Sequence, residues 1–155
     1  MGKKVYLAGF DVFRPDALAY GSRCKALCAQ YGLEGLYPLD NESDQAEEIF
    51  AGNLTLIDQC DVIAACLDPF RGSEPDSGTC FELGYAYARG KRLYGYLTDV
   101  GTLRERLGEW DEMGFSVENF EFPVNLMLAV PAVLICGGLE DCLRRIQEDE
   151  RGLIK

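Results

Sequence analysis

Two carboxylates lie in the segment of the chain that is richest in possible chemistry, which reads DSGTCFELGYA from position 76. Asp76 or Ser77 can cap a helix, and Glu82 then lies about one and a half turns inside it, near the positive end of the helix dipole. Gly78 and Gly84 leave room beside Glu82 for a flat ligand. A carboxylate kept ionised at the mouth of a cleft can attack an electrophilic sugar carbon. A helix cap followed by an exposed glutamate would show the same spacing.

The chain contains no histidine, which narrows the chemistry available to it. Sites in which a histidine activates a serine or cysteine are excluded, so proton transfer has to come from other groups. The glycine-rich loops typical of ATP and dinucleotide sites are also absent. The seven cysteines are odd in number and form no paired C-x-x-C, so we expect free, mostly buried thiols. We therefore predict that the protein uses no metal and no cofactor.

The charge of the chain limits its partners. With 26 acidic and 15 basic residues the net charge is −11, which argues against binding nucleic acid and favours small neutral substrates. No apolar run approaches the ~18–20 residues that a membrane span needs, and the first residues are too few to form a signal peptide. We expect a cytoplasmic protein that has no contact with membranes.

Strand and helix patterns alternate along the chain and indicate how these carboxylates are positioned. We predict a single domain over residues 1–155, of α/β class, with a five-stranded, mostly parallel sheet and helices on both faces, as in doubly wound Rossmann-like or flavodoxin-like folds. The predicted strands are residues 4–8, 36–39, 62–67, 92–97 and 132–135. The predicted helices are residues 15–31, 44–59, 78–89 and 139–151, with shorter pieces at 103–107 and 125–129.

In sheets of this kind ligands bind beyond the carboxyl ends of the strands. That rule selects three segments that carry unusual polar residues, namely 9–14, 68–82 and the irregular stretch after residue 97. We expect the binding site where these segments meet.

The segment at position 76 resembles the central motif of the nucleoside 2-deoxyribosyltransferases. Three further pieces match that family in order. They are YLAGFDVF from position 6, residues 53–61 followed by DPFRG from position 68, and NLML from position 125. The resemblance covers nearly the whole chain, and four ordered motifs are far more specific than any one of them.

The resemblance implies a pentosyltransferase that moves the 2-deoxyribosyl group of a 2′-deoxynucleoside from one purine or pyrimidine base to another, with a place in nucleoside salvage. Glu82 matches the nucleophile that forms a covalent deoxyribosyl-enzyme intermediate, so that two inversions give net retention. Asp76 matches the carboxylate that binds the deoxyribose, and Tyr6 matches the hydroxyl that holds the nucleophile in position.

The resemblance also implies which residues contact the base and which residues are contributed by a neighbouring subunit. Gly9, Phe10 and Phe13 match residues that line the nucleobase slot. Asn125 and Met127 match residues donated in trans, which implies a homo-oligomer, either a dimer or a trimer of dimers. The element after Met127 departs from the family pattern.

A second departure concerns the proton of the base. Some members have an aspartate where this chain has Asn53, and an asparagine cannot act as a general acid. Asp11 and Asp68 are possible substitutes, although both could simply form turns. We expect Asn53 and Asp68 among the substrate-binding residues.

Two other functions stay open. An N-glycoside hydrolase of the same superfamily would release base from a nucleoside, a deoxynucleoside or a nucleoside 5′-monophosphate, and hydrolysis could also accompany transfer as a side activity. A non-catalytic nucleoside-binding protein would keep the pocket, and Asn53 is its main support. Base preference also stays open between purines alone and purines with pyrimidines.

Overall fold

The computed structural model describes residues 2–152, and it contains one five-stranded sheet in which all strands are parallel. The strand order is β2-β1-β3-β4-β5. The strands are β1 Lys4–Ala8, β2 Glu34–Leu36, β3 Val62–Cys66, β4 Arg92–Leu97 and β5 Ala132–Cys136. The helices are α1 Ala17–Gln30, α2 Ala46–Gln59, α3 Ser77–Ala88, α4 Leu103–Leu107, α5 Leu126–Ala129 and α6 Leu139–Glu150. The predicted α/β fold is confirmed; residues 1 and 153–155 of the predicted domain lie outside the described range.

The sheet is covered on both faces because its strands alternate between two apolar layers. Val5 and Leu7 of β1 point into one layer with α1 and α6, whereas Tyr6 and Ala8 point into the other with α2 and α3. Every residue of β3 is buried, as expected for a central strand of a doubly wound sheet. Tyr6 therefore belongs to the layer that also contains α3.

The second strand begins two residues and ends three residues earlier than the sequence pattern predicts. β2 ends at Leu36, and Pro38–Asp40 forms a 3-10 turn. Proline has no backbone N–H to donate, so the strand cannot continue through Pro38. The side-chain oxygen of Ser43 accepts a hydrogen bond from the Gln45 N–H just before α2.

β2 lies on one side of β1, whereas β3 and the later strands lie on the other side. This change in the order of strands creates a switch point at the carboxyl ends of β1 and β3. Gly9 follows β1 there, and a Cβ atom at this position would lie 3.0 Å from the Cβ of Cys66 at the end of β3. This close approach requires a glycine.

All seven cysteines are free thiols, five of them buried. Within residues 2–152 no helix has the length and apolar character that a membrane crossing requires.

Gly21 of α1 packs directly against the ring of Tyr37, and a Cβ atom there would lie 2.3 Å from Cε1 of that ring. Replacing glycine by alanine inside a helix ordinarily adds up to about 1 kcal/mol of stability. For Gly21→Ala we expect the opposite sign, a loss of about 1–3 kcal/mol, because the buried contact is overpacked. Urea denaturation measures the change. Ser22→Ala, at the next and exposed position, is the matched control and should cause little change.

Candidate active site

A cleft of about 480 Å³ opens at the carboxyl ends of β1 and β3, on the side of the sheet that carries α2 and α3. One wall is the turn that follows β1, and a second comes from residues 38–43 together with α2. The third wall is formed by the start of α3 and by the loop before it, residues 70–76, which we call the cleft loop. The predicted segments 9–14 and 68–82 thus meet here, at the switch point of the sheet.

Glu82 lines this cleft and accepts a hydrogen bond on Oε2 from the hydroxyl of Tyr6. Tyr6 is fully buried in β1, so its ring has a fixed position under the cleft. Burial raises the pKa of Glu82 to about 7; the charge of Asp76 adds to this effect, and the Tyr6 hydroxyl opposes it. Burial and the neighbouring Glu82 charge also raise the pKa of Tyr6, which keeps its phenol protonated as a donor.

Asp76 is the N-cap of α3, as the sequence suggested. Its Oδ2 accepts hydrogen bonds from the backbone N–H of Thr79, at 2.9 Å, and from the Thr79 hydroxyl, at 2.8 Å. Thr79 is fully buried, so this double contact fixes the carboxylate at the wall of the cleft. Both of these hydrogen bonds use Oδ2, and among residues 2–152 no hydrogen bond to Oδ1 is seen.

Aromatic rings form the outer part of the site. The Phe70 ring stacks on Phe10, with centroids 4.8 Å apart, and on Phe13, with centroids 5.6 Å apart. The Arg71 guanidinium lies over both Phe13 and Phe70, at 4.8 and 4.6 Å from the ring centroids. Phe13 and Arg71 line the cleft, whereas Phe10 supports Phe70 from the apolar layer around α1.

Two asparagines occupy the wall opposite the aromatic rings. Asn53 of α2 lines the cleft, and its Oδ1 accepts a hydrogen bond from Nδ2 of Asn41 at 3.0 Å. Asn41 in turn donates to the Pro38 carbonyl and packs against Gly52. The side-chain amide of Asn53 is therefore held at a defined orientation toward the cleft.

Asp68 and Asp11 lie outside the set of residues that line the cleft. Oδ1 of Asp68 accepts hydrogen bonds from the backbone N–H and the hydroxyl of Thr98, both at 2.7 Å, and so ties the end of β3 to the end of β4. Burial raises the pKa of Asp11, which lies beside Arg14 and Tyr20. The stretch after residue 97, the third segment selected from the sequence, faces a separate hollow with β5.

Asn125 and Met127 are not brought to the cleft of their own chain. They line a second hollow of about 370 Å³ together with Cys80 and Gly84 of α3. Residues 80 and 84 are each two positions from Glu82, about 200° around the helix, so this hollow lies on the opposite side of α3 from the nucleophile candidate.

Asn125 is held tightly by its own chain at the start of α5. Its Oδ1 caps the helix by accepting from the Met127 N–H at 2.9 Å, and its Nδ2 donates to Oε1 of Glu118 at 2.8 Å. Oε2 of the same glutamate accepts from the Leu126 N–H at 3.1 Å. Residues 117–125, which we call the arm, therefore present Asn125 in one orientation.

A mostly apolar surface surrounds the second hollow. Met127 is 74% exposed, Val130 67% and Tyr87 65%. A neighbouring depression of about 580 Å³ between α3 and α5 is also lined almost entirely by apolar side chains. Clustered exposed apolar side chains of this kind are typical of protein–protein contacts.

Several residues of the site were missed by the sequence analysis. Asn41 lies beyond β2, a strand end that was not considered because the order of strands was unknown. Phe70 appears in the sequence analysis only as part of a motif, and Glu118 does not appear there. Of the three, Asn41 had a usable signal, because it lies just beyond the carboxyl end of a predicted strand.

The fold and the cleft define the protein as a doubly wound α/β domain with a carboxylate–phenol pair at its switch point. The family model described as nucleoside 2-deoxyribosyltransferase matches residues 5–127, which is most of the chain. The chain belongs to the nucleoside 2-deoxyribosyltransferase family. Within residues 2–152 no three acidic or cysteine side chains are grouped so that they could hold a metal ion.

The chain is similar to one curated protein and to several solved structures. The solved structure of a 2-deoxyribosyltransferase from Leishmania mexicana is 41% identical, with a TM-score of 0.86 over 94% of this chain and 97% of that one. An uncharacterized protein of Schizosaccharomyces pombe is 42% identical over 106 residues, 61% of this chain; the match spans about half of that curated relative, 50% of its length. A CMP N-glycosidase structure from Clostridium botulinum, 18% identical with a TM-score of 0.57 over 93% of this chain and 97% of that chain, shares the fold.

The raised pKa of Glu82 leads to a prediction about stability. Below its unfolded-state pKa of 4.5 the carboxyl is neutral in both states, and between 4.5 and about 7 the folded protein loses stability as the unfolded state ionises first. Above about pH 7 Glu82→Gln should therefore be more stable than the parent protein, by up to about 3 kcal/mol.

Urea denaturation across this pH range measures the difference. The gap should shrink toward acid pH and level off above about pH 7. Glu34→Gln, an exposed glutamate on β2, is the control and should show no comparable trend. A gap of the same size at every pH would mean that burial does not perturb Glu82.

Proposed function

We propose that the protein transfers the 2-deoxyribosyl group between the nucleobases of 2′-deoxynucleosides through a covalent deoxyribosyl-Glu82 intermediate. The observation that carries this proposal is the carboxylate of Glu82, buried in a cleft, oriented by the Tyr6 hydroxyl and flanked by the fixed carboxylate of Asp76. The family of the chain and the Leishmania relative at 41% identity support the same reaction class.

In the first step the ionised Glu82 attacks C1′ of the sugar from the face opposite the base. The C1′–N bond breaks and its electron pair leaves with the base, while a C1′–O bond to Glu82 forms through an oxocarbenium-like state. Tyr6 donates to Oε2, so Oε1 is the oxygen placed to attack. A sugar without a 2′-hydroxyl forms this cation more readily.

In the second step a nitrogen of the incoming base attacks C1′ and displaces Glu82. The ester bond breaks, its electron pair returns to the carboxylate, a new C1′–N bond forms, and the proton of the attacking nitrogen is released to water. Two inversions give net retention, as in retaining glycosidases. Water competes as the acceptor, and the wall of Phe13 and Phe70 favours transfer by limiting access of water to the intermediate.

Asp76 binds the hydroxyl groups of the deoxyribose in this proposal. Its free Oδ1 is an acceptor, and its other oxygen is already engaged by Thr79, so the sugar meets a carboxylate of fixed orientation. Asn53, fixed by Asn41, hydrogen-bonds the base but cannot protonate it. Proton supply to the leaving base therefore falls to water, because Glu82 acts as the ionised nucleophile and Asp76 accepts from the sugar.

We also propose that the active form is a homo-oligomer, a dimer or a trimer of dimers, in which Asn125 and Met127 complete the cleft of a neighbouring subunit. Asn125 lies on the far side of α3 from Glu82 in its own chain, so it can reach a substrate only in another copy. The exposed apolar side chains around it provide a surface for such a contact.

The reaction is tested by incubating purified protein with 2′-deoxyinosine, with and without adenine, and separating the products by chromatography. We expect new 2′-deoxyadenosine only when adenine is present, and its loss in Glu82→Ala. Tyr6→Phe should retain transfer but at about a tenth to a hundredth of the rate, because the nucleophile loses its orienting hydrogen bond.

Matched conditions decide between the alternatives. Hypoxanthine released equally in both samples, without a new nucleoside, would mean a hydrolase. Exchange that persists in Glu82→Ala would remove Glu82 as the nucleophile. Tight binding of deoxyinosine without turnover would indicate a binding protein. Replacing adenine by cytosine then measures the range of bases.

The shared site is tested by complementation. Glu82→Ala and Asn125→Ala chains are co-expressed with different tags and purified through both. Each variant alone should lose activity, whereas the mixed oligomer should recover about half of the sites of a dimer, because one cleft obtains both intact groups.

Glu82→Ala mixed with Asp76→Ala is the control, since both changes fall in the same cleft and no pairing restores either group to the other chain. Recovery in that control, or none in the first mixture, would contradict a contribution of Asn125 in trans.

A further inference from the structure

Arg106 of α4 contacts two functional segments at once. Its Nη1 donates to the backbone carbonyl of Ser73 at 3.1 Å, and its Nη2 donates to the backbone carbonyl of Pro123. Ser73 belongs to the cleft loop and precedes Asp76 by three residues. Pro123 belongs to the arm and precedes Asn125 by two.

The helix that carries Arg106 is short but well anchored. A capping box fixes its first turn, because the Thr102 hydroxyl accepts from the Glu105 N–H and the Glu105 carboxylate accepts from the Thr102 N–H. The Leu103 N–H also donates to the carbonyl of Phe122 at 3.0 Å. α4 is therefore joined to the arm even without its arginines.

The guanidinium of Arg106 is committed to backbone carbonyls. Within the described part of the chain it forms no ion pair with a carboxylate, and its Nε is buried without a hydrogen-bond partner. A planar guanidinium can serve two acceptors in a fixed geometry, which a lysine ammonium on a flexible stem cannot do in the same way.

We infer that Arg106 is a positioning residue. It fixes the cleft loop of its own active site relative to the arm that completes the active site of a neighbouring subunit. The inference rests on the proposed function and its shared site. Arg106 contacts no substrate; it acts by fixing where Asp76 stands in its own cleft and where Asn125 stands in the cleft of the neighbouring subunit. Misplacement by a fraction of an ångström at either end slows the reaction.

Arg104, on the same helix, provides a matched comparison. Its Nη2 donates to the carbonyl of Val117 at 2.8 Å, at the other end of the arm, and it has no hydrogen bond to the cleft loop. Like Arg106 it has a buried Nε without a partner. The two arginines therefore differ mainly in the bond to Ser73.

The experiment uses the mixed oligomer of Asn125→Ala and Glu82→Ala chains, in which the working site takes its cleft from the first chain and its Asn125 from the second. Arg106→Ala is placed on one chain or on the other, and kcat and KM are measured together with the melting temperature. Arg106→Lys is the substitute where the alanine variant does not fold. Arg104→Ala is placed in the same two ways.

We expect Arg106→Ala to lower kcat/KM of the mixed oligomer by about tenfold or more from either chain. Arg104→Ala should lower it only from the chain that donates Asn125. A general loss of stability would make Arg104→Ala act from either chain as well, and for Arg106→Ala it would appear as a fall in melting temperature that accounts for the lost activity.

If an Arg106 variant lowers kcat/KM from one chain only, or from neither, the proposed role of Arg106 in positioning both segments is wrong, while the shared site still stands. Failure of the parent mixture to recover activity would instead overturn the shared site, and the role of Arg106 would fall with it.

Discussion

The hydrogen bond from Tyr6 to Glu82 is the interaction on which the rest of the site depends. In the proposed reaction the Glu82 carboxylate has to be shielded from water to be reactive, yet it has to remain able to ionise near neutral pH. Burial raises its pKa to about 7, and the phenol of Tyr6 limits that rise while fixing one oxygen. A central strand is required for this, because only a fully buried residue of β1 can hold its ring still beneath a cleft.

Other polar side chains of the site are likewise fixed through one of their polar atoms. Asp76 gives one carboxylate oxygen to Thr79 and keeps the other, and Asn125 is fixed by Glu118 and by its own helix. Each of these side chains thus forms hydrogen bonds within its own chain that fix its orientation. Substrate then meets groups that are already oriented, which lowers the entropic cost of reaching a reactive geometry.

Sequence patterns predicted the strands around the site well, because β1, β3 and β4 are continuous apolar runs that admit few alternatives. They were less successful at β2, where Pro38 moves the strand and brings Asn41 to the cleft. Asp68 illustrates the converse limit: its motif predicts a ligand contact, but both of its hydrogen bonds at Oδ1 go to Thr98 on the neighbouring strand. Local spacing cannot reveal such partners, since they depend on strand order.

Helix α3 lines two separate hollows with its opposite faces. Glu82 faces the cleft, while Cys80 and Gly84, half a turn away, face the hollow that holds Asn125. The helix therefore separates the cleft from the hollow of Asn125, which in the proposed oligomer completes the cleft of a neighbouring subunit. The guanidinium of Arg106 is bonded to both the cleft loop and the arm, and it therefore links the two sides of this helix.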